Sequence, residues 1–434
     1  MERDTGEKPF ETLQIEVSNR CNLDCIMCIR RSWDAIEKDF NIDLYMKIAR
    51  SDFREIKRLV LYGFGEPFMN PNLLRMLNAS KKYLGEDSKI MISTNGTFLS
   101  PEFSEKLFQN ELIDELSFSV DSLDTAKLGE IRKGSKPDKT IQNLKYLLKV
   151  RKILGKQIRV GVEIVLMKEN IEELPKMVER LAEEGIDYIF VSHVIPYSQD
   201  IFEKSAYLTI SKSQLESFIS LIDDISEQRI YSKIYSILSN ISRIQDPKIA
   251  EKKKLEIWEK AFQKKLPINL PLLFKSEEKF TLFNLVDESL SITEKIAKKY
   301  GVETKLPKIF PEAKERKCPY VENNALFIRS DGKVAPCMEF AHSHPLYINM
   351  HRKAIRPIIF GDLMFEELKH VWNKANYKAF REVRRNMGDK IPWCGDCVFS
   401  PWCFFARTNE RDCFTNEPGC SECLYSIDLS ICNI

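Results

Sequence analysis

The sequence predicts an α/β protein: an open, partial (β/α)6 barrel, interrupted by a helical insertion and followed by a cysteine-rich C-terminal region. Three observations carry this prediction. Between residues 12 and 195, six short apolar runs alternate with amphipathic ones. The turns between them are short, which implies parallel strands joined by right-handed crossovers. The twelve cysteines are unevenly placed: three before residue 29, none from 29 to 317, and nine from 318 to 432.

The elements follow in order. Strand-like runs are LQIEVS (13–18), RLVLYGF (58–64), KIMIST (89–94), ELSFSV (115–120), IRVGVEIVLM (158–167) and DYIFVSHVI (187–195). Helical spacing covers 42–56, 71–84, 101–110, 138–153 and 171–184. Six units are too few for a closed eight-stranded barrel, and chemistry in such a sheet belongs at the C-terminal strand ends. Residues 205–285 leave the pattern, with SQLESFISLIDDISEQRIYSKIYSIL and KKKLEIWEKAFQKKL reading as helices. This segment is either a lobe packed on the barrel or a cap over its mouth. ITEKIAKKYGVETKLP (292–307) reads as one more helix and strand. The division is therefore 12–200 for the barrel, 201–290 for the insertion, 291–317 for the barrel's end and a linker, and 318–434 for the cysteine-rich domain.

Composition narrows the function. Lys plus Arg number 66 and Asp plus Glu 64, a net charge of +2. Neither nucleic acid nor a membrane surface is expected as a partner. Hydrophobic residues, at 43%, suffice for a large core. The start, MERDTGEKPF, has no apolar signal region, and no run of about 18 apolar residues occurs. A cytoplasmic location is expected, and in a reducing compartment clustered cysteines point to metal rather than disulfides.

RCNLDCIMCIR (20–30) holds Cys21, Cys25 and Cys28 at gaps of three and two residues. Thiolates suit zinc, copper(I) or iron–sulfur clusters. Structural zinc wants four protein ligands, and no nearby His or Cys supplies the fourth. Three cysteines on one loop can hold three corners of a [4Fe–4S] cube and leave one iron open to an outside ligand. This Cys-x3-Cys-x2-Cys motif resembles the signature of the radical S-adenosylmethionine (radical SAM, AdoMet) enzymes, whose core is a TIM-like partial barrel. The resemblance implies that Cys21, Cys25 and Cys28 ligate the catalytic [4Fe–4S] cluster. It also implies that AdoMet chelates the open iron and is split to a 5′-deoxyadenosyl radical, chemistry no side chain can supply.

Further strand ends extend the resemblance. In YGFGEP (62–67), Gly65, Glu66 and Pro67 match the family's Gly-Gly-Glu-Pro-like turn that contacts the AdoMet amino group, with Phe64 replacing its first glycine. Ser93 and Asn95 in STNG, and Ser119 and Asp121 in SVDS, resemble the polar clusters beside the AdoMet ribose and carboxylate. Arg132, in EIRKG, resembles an arginine on the AdoMet carboxylate, a task that suits a guanidinium fork. Asn170 reads as a helix cap, with a ligand role as the alternative. His193, at the sixth strand's end, is either a substrate-side group or a satisfied structural histidine.

The C-terminal region runs from Cys318 through Gly332-x4-Cys337 to Cys394-x2-Cys397-x5-Cys403, Cys413, Cys420-x2-Cys423 and Cys432. This resembles the SPASM extension of radical SAM enzymes, which holds one or two auxiliary [4Fe–4S] clusters; GDLMFEELKHVWNKANYKAFR (361–381) resembles its linking helices. Arg407 stands where that pattern wants a cysteine; either Cys413 or the Cys420/Cys423 pair substitutes, or one cluster has an open iron. Cys394, Cys397 and Cys403 are assigned to one cluster, and Cys318 and Cys337 to the other. Zinc is the alternative, since Cys-x2-Cys pairs are also zinc spacing. His342, His344 and His351 read as a surface loop, with metal or substrate contact as the alternative.

RDCFTNEPGCSECLYSIDLSICN (411–433) resembles the tail of one subgroup, the maturases associated with tungsten-pterin aldehyde oxidoreductases. The implied partners are a ferredoxin or flavodoxin electron donor and a tungsten-dependent oxidoreductase. The rival enzyme is a maturase acting on a peptide substrate, forming thioether or carbon–carbon links or formylglycine. The rival outside enzymology is an iron–sulfur electron-transfer or scaffold protein.

Overall fold

The computed structural model describes residues 9–155, 157–222 and 230–434. The reading of the first ten residues and the helical run over 213–238 fall partly outside the described residues, on 1–8 and 223–229. Six parallel strands come first: β1 (Thr12–Ile15), β2 (Arg58–Val60), β3 (Lys89–Thr94), β4 (Glu115–Ser119), β5 (Arg159–Leu166) and β6 (Tyr188–His193). Each pairs in parallel with the next. The crossovers carry α1 (Ile42–Asp52), α2 (Leu73–Tyr83), α3 (Pro101–Gln109), α4 (Thr125–Ile131), α5 (Pro137–Leu154) and α6 (Leu174–Glu183). Local chemistry sets several ends. Asn41 caps α1 through Asp43 N and Leu44 N, both at 2.9 Å, and Ser100 caps α3 ahead of Pro101. Gly155 ends α5 in the left-handed region, with φ 62°. The short helix α4 is absent from the sequence reading; one apolar stripe of seven residues leaves too little periodicity to detect.

The insertion contributes α7 (Gln199–Lys204), α8 (Lys212–Ile222), α9 (Ile230–Ser242), α10 (Pro247–Gln263), α11 (Leu270–Lys275) and α12 (Glu277–Tyr300). Then β7 (Glu303–Lys305) joins β6 in parallel. After α13 (Pro319–Glu322) come β8 (Ala325–Ile328), parallel to β1, and β9 (Lys333–Ala335), antiparallel to β8. The hairpin of β10 (His344–Ile348) and β11 (His351–Ile355) stands apart. A last strand, β12 (Gly361–Asp362), pairs with β9, followed by α14 (Leu368–Asn373) and α15 (Ala375–Arg384). The sheet order is β12-β9-β8-β1-β2-β3-β4-β5-β6-β7, with no pairing of β12 to β7 among the described residues. No helix among the described residues is long and apolar enough to cross a membrane.

Two features position the chemistry. The C-terminal tail folds back along the strands: Leu429 O accepts from His193 N (3.1 Å), Ile431 N donates to Ser192 Oγ (3.0 Å), and Asn433 Nδ2 donates to Glu163 Oε1 (2.7 Å). Tyr62 Oη then donates to Asn433 O (3.2 Å). The insertion packs against the cysteine-bearing loop after Ile391. Trp393 Nε1 donates to Thr209 O (2.8 Å), Ser211 N to Asp396 Oδ1 (2.7 Å), and Asn269 Nδ2 to Gly395 O (3.0 Å).

Candidate functional site

The three-cysteine loop leaves β1 at the C-terminal edge of the sheet, where the strand pattern predicts chemistry. Asp24 N donates to Lys133 O (2.8 Å) and Ile26 N to Ile131 O (2.9 Å), so the end of α4 pins the loop on both sides of Cys25. Arg30 ties it from within, donating to Asn19 O (3.1 Å) and Leu23 O (3.3 Å). Leu23, Met27, Ile131, Met167, Val194 and Ile201 form an apolar wall around the thiols. Cys25 is buried, and Cys21 and Cys28 are half-buried. Burial raises the thiols of Cys21 and Cys25 and pushes that of Cys28 up to about 12. Such thiols become thiolates when a positive centre compensates their charge, as a bound metal does. Cys21 Sγ lies 3.4 Å from Leu23 N and 3.7 Å from Asn95 Nδ2, both able to donate to a thiolate. Three unpaired soft donors in a walled, amide-lined loop fit an iron–sulfur cluster.

The turn after β2 supports that loop. A Cβ on Gly65 would lie 2.2 Å from Ser18 O and 2.6 Å from Arg20 O. Gly65 therefore lets the cysteine loop lie on the turn. Gly65→Ala is expected to destabilise the protein by about 1–3 kcal/mol; urea unfolding measures this, and an unchanged midpoint would refute the contact. Glu66 is buried, and its N–H donates to Arg20 O (2.7 Å). Its carboxylate accepts from Thr94 Oγ1 (2.7 Å), Asn95 N (2.8 Å) and Phe68 N (3.2 Å). Burial nonetheless pushes its carboxyl up to about 7. Pro67 opens the short turn Pro67–Met69.

Asp121 and Arg132 form a buried charge pair, Nε to Oδ2 at 2.8 Å. Asp121 Oδ1 accepts from Val165 N (2.8 Å). The pair stands beside Cys25, where Arg132 lowers and Asp121 raises the thiol. Asn95 also donates to Asn22 Oδ1 (2.9 Å) within the cysteine loop. Thus the structure gathers Cys21, Cys25, Cys28, Glu66, Asn95, Asp121 and Arg132 around one loop. Ser119 lies half-buried at the end of β4. Ser93 instead donates to Glu163 Oε2 (2.7 Å), in the network that holds the C-terminal tail. Asn170 corrects its expectation: it caps no helix, but bridges Asp121 O and Val165 O (both 2.9 Å) and accepts from Met167 N. His193 is buried against Tyr207, with ring centroids 5.1 Å apart, and neither nitrogen makes an aligned hydrogen bond among the described residues. Burial pushes it down to about 3, so it is a neutral ring at ordinary pH.

The surface reading of the three C-terminal histidines is overturned. All are buried and each faces a carboxylate: His342 with Glu16 (3.1 Å), His344 with Glu339 (3.0 Å) and His351 with Glu422 (3.2 Å). Burial acts to raise the Glu16 carboxyl, but the His342 contact and the Ser330 and Phe64 amides hold it below the usual range. This pair locks the cysteine-rich region onto β1. Sequence reasoning missed Glu16, buried just past β1, and Glu163, half-buried within β5; an acid inside an apolar run was the available signal.

The nine C-terminal cysteines separate into two groups. Cys318, Cys337, Cys420, Cys423 and Cys432 line one largely apolar cavity. Arg384 Nε donates to Cys420 Sγ (3.3 Å). Cys394, Cys397, Cys403 and Cys413 lie on the loop that the insertion braces. Cys397 N donates to Cys394 O (3.2 Å), and burial, Asp412, Cys403 and Cys397 together raise the Cys413 thiol. All nine are unpaired. Exposed Phe399, Trp402, Phe404, Phe405 and Phe414 crowd this second group.

The chain is similar to known proteins over most of its length. A model of the radical SAM superfamily matches residues 15–192. A model of the SPASM iron–sulfur cluster-binding domain matches residues 318–398. The chain is 28% identical, over 97% of both chains, to the tungsten-containing aldehyde ferredoxin oxidoreductase cofactor-modifying protein of Pyrococcus furiosus. It is 25% identical to a GTP 3′,8-cyclase of Clostridium perfringens over 44% of this chain and 57% of that one. Among solved structures, Streptococcus suis SuiB bound to S-adenosylmethionine superposes with a TM-score of 0.52 at 17% identity, covering 91% of this chain and 72% of that one.

Proposed function

Because this chain is a radical SAM enzyme with a C-terminal SPASM domain, we propose that it cleaves AdoMet reductively and modifies a tungsten-pterin oxidoreductase or its cofactor. The observation that carries the reading is the pinned three-thiol loop with Glu66, Asn95 and the Asp121–Arg132 pair around it. Cys21, Cys25 and Cys28 would hold the catalytic [4Fe–4S] cluster. Reduced and bound to AdoMet, that cluster supplies the electron that splits the sulfonium to a 5′-deoxyadenosyl radical. Glu66, raised by burial but already polarised by three donors, would accept the AdoMet ammonium. Arg132, held by Asp121, would face the carboxylate. Gly65 and Pro67 would keep the turn against the loop, while Asn95, Ser119 and Ser93 would present polar groups at the strand ends. The apolar wall of Met167, Val194 and Ile201 would exclude water from the reacting centre.

The auxiliary ligands follow the two groups: Cys318, Cys337, Cys420 and Cys423 for one cluster, and Cys394, Cys397, Cys403 and Cys413 for the other. Four thiolates complete a cube. The exposed aromatic residues beside the second group favour a protein docking there, and we assign that face to a ferredoxin or flavodoxin donor. The whole-length similarity to the Pyrococcus furiosus protein supports the tungstoenzyme over a free peptide substrate. Anaerobic reconstitution with reductant and AdoMet tests the first part by release of 5′-deoxyadenosine. Adding an immature tungsten-dependent oxidoreductase tests the second: its activation supports the reading, and dependence on a small peptide instead refutes it.

A further inference from the structure

A cavity of about 270 Å³ opens between the insertion and the β10–β11 hairpin. Gln199 and Phe202 reach it from α7, Lys275, Ser276 and Lys279 from the α11–α12 junction, and His351 and Arg352 from the hairpin. Four of its lining side chains are basic and none is a carboxylate. His351 is already committed to Glu422 (3.2 Å). Lys275 and Arg352 make no ion pair among the described residues and stand exposed at the rim. Lys279 is the unusual member. It is buried, its Nζ donates to Ser205 Oγ (2.6 Å) and contacts Tyr207 O (3.4 Å), and it sits 4.2 Å from the Phe202 ring centroid.

No carboxylate pairs with Lys279 among the described residues. Burying an ammonium on neutral partners alone costs several kcal/mol, and here burial pushes the amine down to about 7. A charge held so poorly gains most from an incoming anion. Two further cations at the rim suit a group of more than one negative charge, and a guanidinium beside an ammonium suits tetrahedral oxyanions. The volume lies just below that of pockets for whole drug-sized molecules, roughly 300–1,000 Å³, so it fits a headgroup.

The location gives the site a use. Ile201 of α7 packs in the apolar wall of the three-cysteine loop, and the next residue, Phe202, lines the cavity. On the other side, Glu422, the partner of His351, lines the five-thiol cavity. We propose that Lys279, Lys275 and Arg352 bind a phosphate-class anion, and, resting on the radical SAM reading above, that this anion is carried by the molecule being modified.

Binding of inorganic phosphate and of pyrophosphate to the iron-loaded protein, by calorimetry, tests the site independently of turnover. Binding weakened about tenfold by Lys279→Met and by Arg352→Ala supports it. The rim variant guards against misfolding of the buried one. No binding up to about 10 mM of either anion, or binding unchanged in both variants, overturns it. Raised KM for the modified molecule in the presence of phosphate identifies a substrate-borne anion; binding without such competition overturns that assignment and leaves a site for free anion. Release of 5′-deoxyadenosine by the wild type, measured alongside, reports separately on the radical SAM reading.

Discussion

Cys25→Ala protein, reconstituted anaerobically and given dithionite and AdoMet, releases no 5′-deoxyadenosine above the uncatalysed background, and it lacks one cluster's worth of iron. The expectation rests on how the loop is held. The backbone bonds of Asp24 and Ile26 to the end of α4 flank Cys25 and do not involve its side chain. Arg30 anchors the loop through main-chain oxygens of Asn19 and Leu23. Alanine therefore removes a ligand and leaves the fold, because the lost sulfur lies among the apolar wall, the Asp121–Arg132 pair and the other two thiols and carries none of the loop's anchoring bonds. Truncating one buried apolar-like side chain costs about 1–3 kcal/mol, too little to unfold a domain of this size, so near-native circular dichroism should accompany the loss. Cleavage that survived the substitution would refute the cluster assignment for all three cysteines. Iron that stayed at the wild-type count would do the same.

The part legible in the sequence was the part governed by local pattern. Five of the six strand runs contain the strands found, from Lys89–Thr94 at its stated limits to Arg58–Val60, which fills only the start of its run. The run at 13–18 is shifted by one residue, beginning at Thr12. Alternation and β-branching decide those positions locally. The helix and strand read over 292–307 fall on the end of α12 and on β7. What the pattern did not carry is long-range pairing. His342 meets Glu16 across 326 positions, and Asn433 meets Glu163 across 270. Neither partner announces the other, since a buried acid and a buried histidine each look like surface residues until they are matched. The insertion shows the same limit. Its amphipathic spacing fits either a cap or a packed lobe. Contacts of Thr209, Ser211 and Asn269 with the 393–396 loop give it a third part to play, bracing cysteines. In the site, the Gly65-Glu66-Pro67 turn was legible because its residue types are unusual at a strand end. A serine at a strand end carries no sign of its partner, and the bond of Ser93 to Glu163 was not legible.

Cys423→Ser removes one auxiliary cluster, whereas Cys432→Ser leaves the iron count intact. Both residues line the same cavity, so position alone does not separate them. Their surroundings do. Cys423 lies where Cys420 and Cys318 act on its thiol, and Cys337 in turn lies among Cys318, Cys423 and Cys420. Cys318, Cys337, Cys420 and Cys423 are the four assigned above to one cluster. Among the leading influences on the Cys432 thiol, Cys318 is the one cysteine, beside Lys305, Glu163 and the Tyr320 hydroxyl. It arrives on a tail tied into the barrel through Asn433, Glu163 and Tyr62. A cube already holding four thiolates has no vacant iron for it. Iron and sulfide analysis with electron paramagnetic resonance of the reduced proteins separates the two variants. In the serine variant at 423, one auxiliary signal and about four irons should vanish; in that at 432, both auxiliary signals should persist. Loss of iron from Cys432→Ser with retention in Cys423→Ser would exchange their roles and make the tail a ligand arm, binding the barrel interior directly to a cluster.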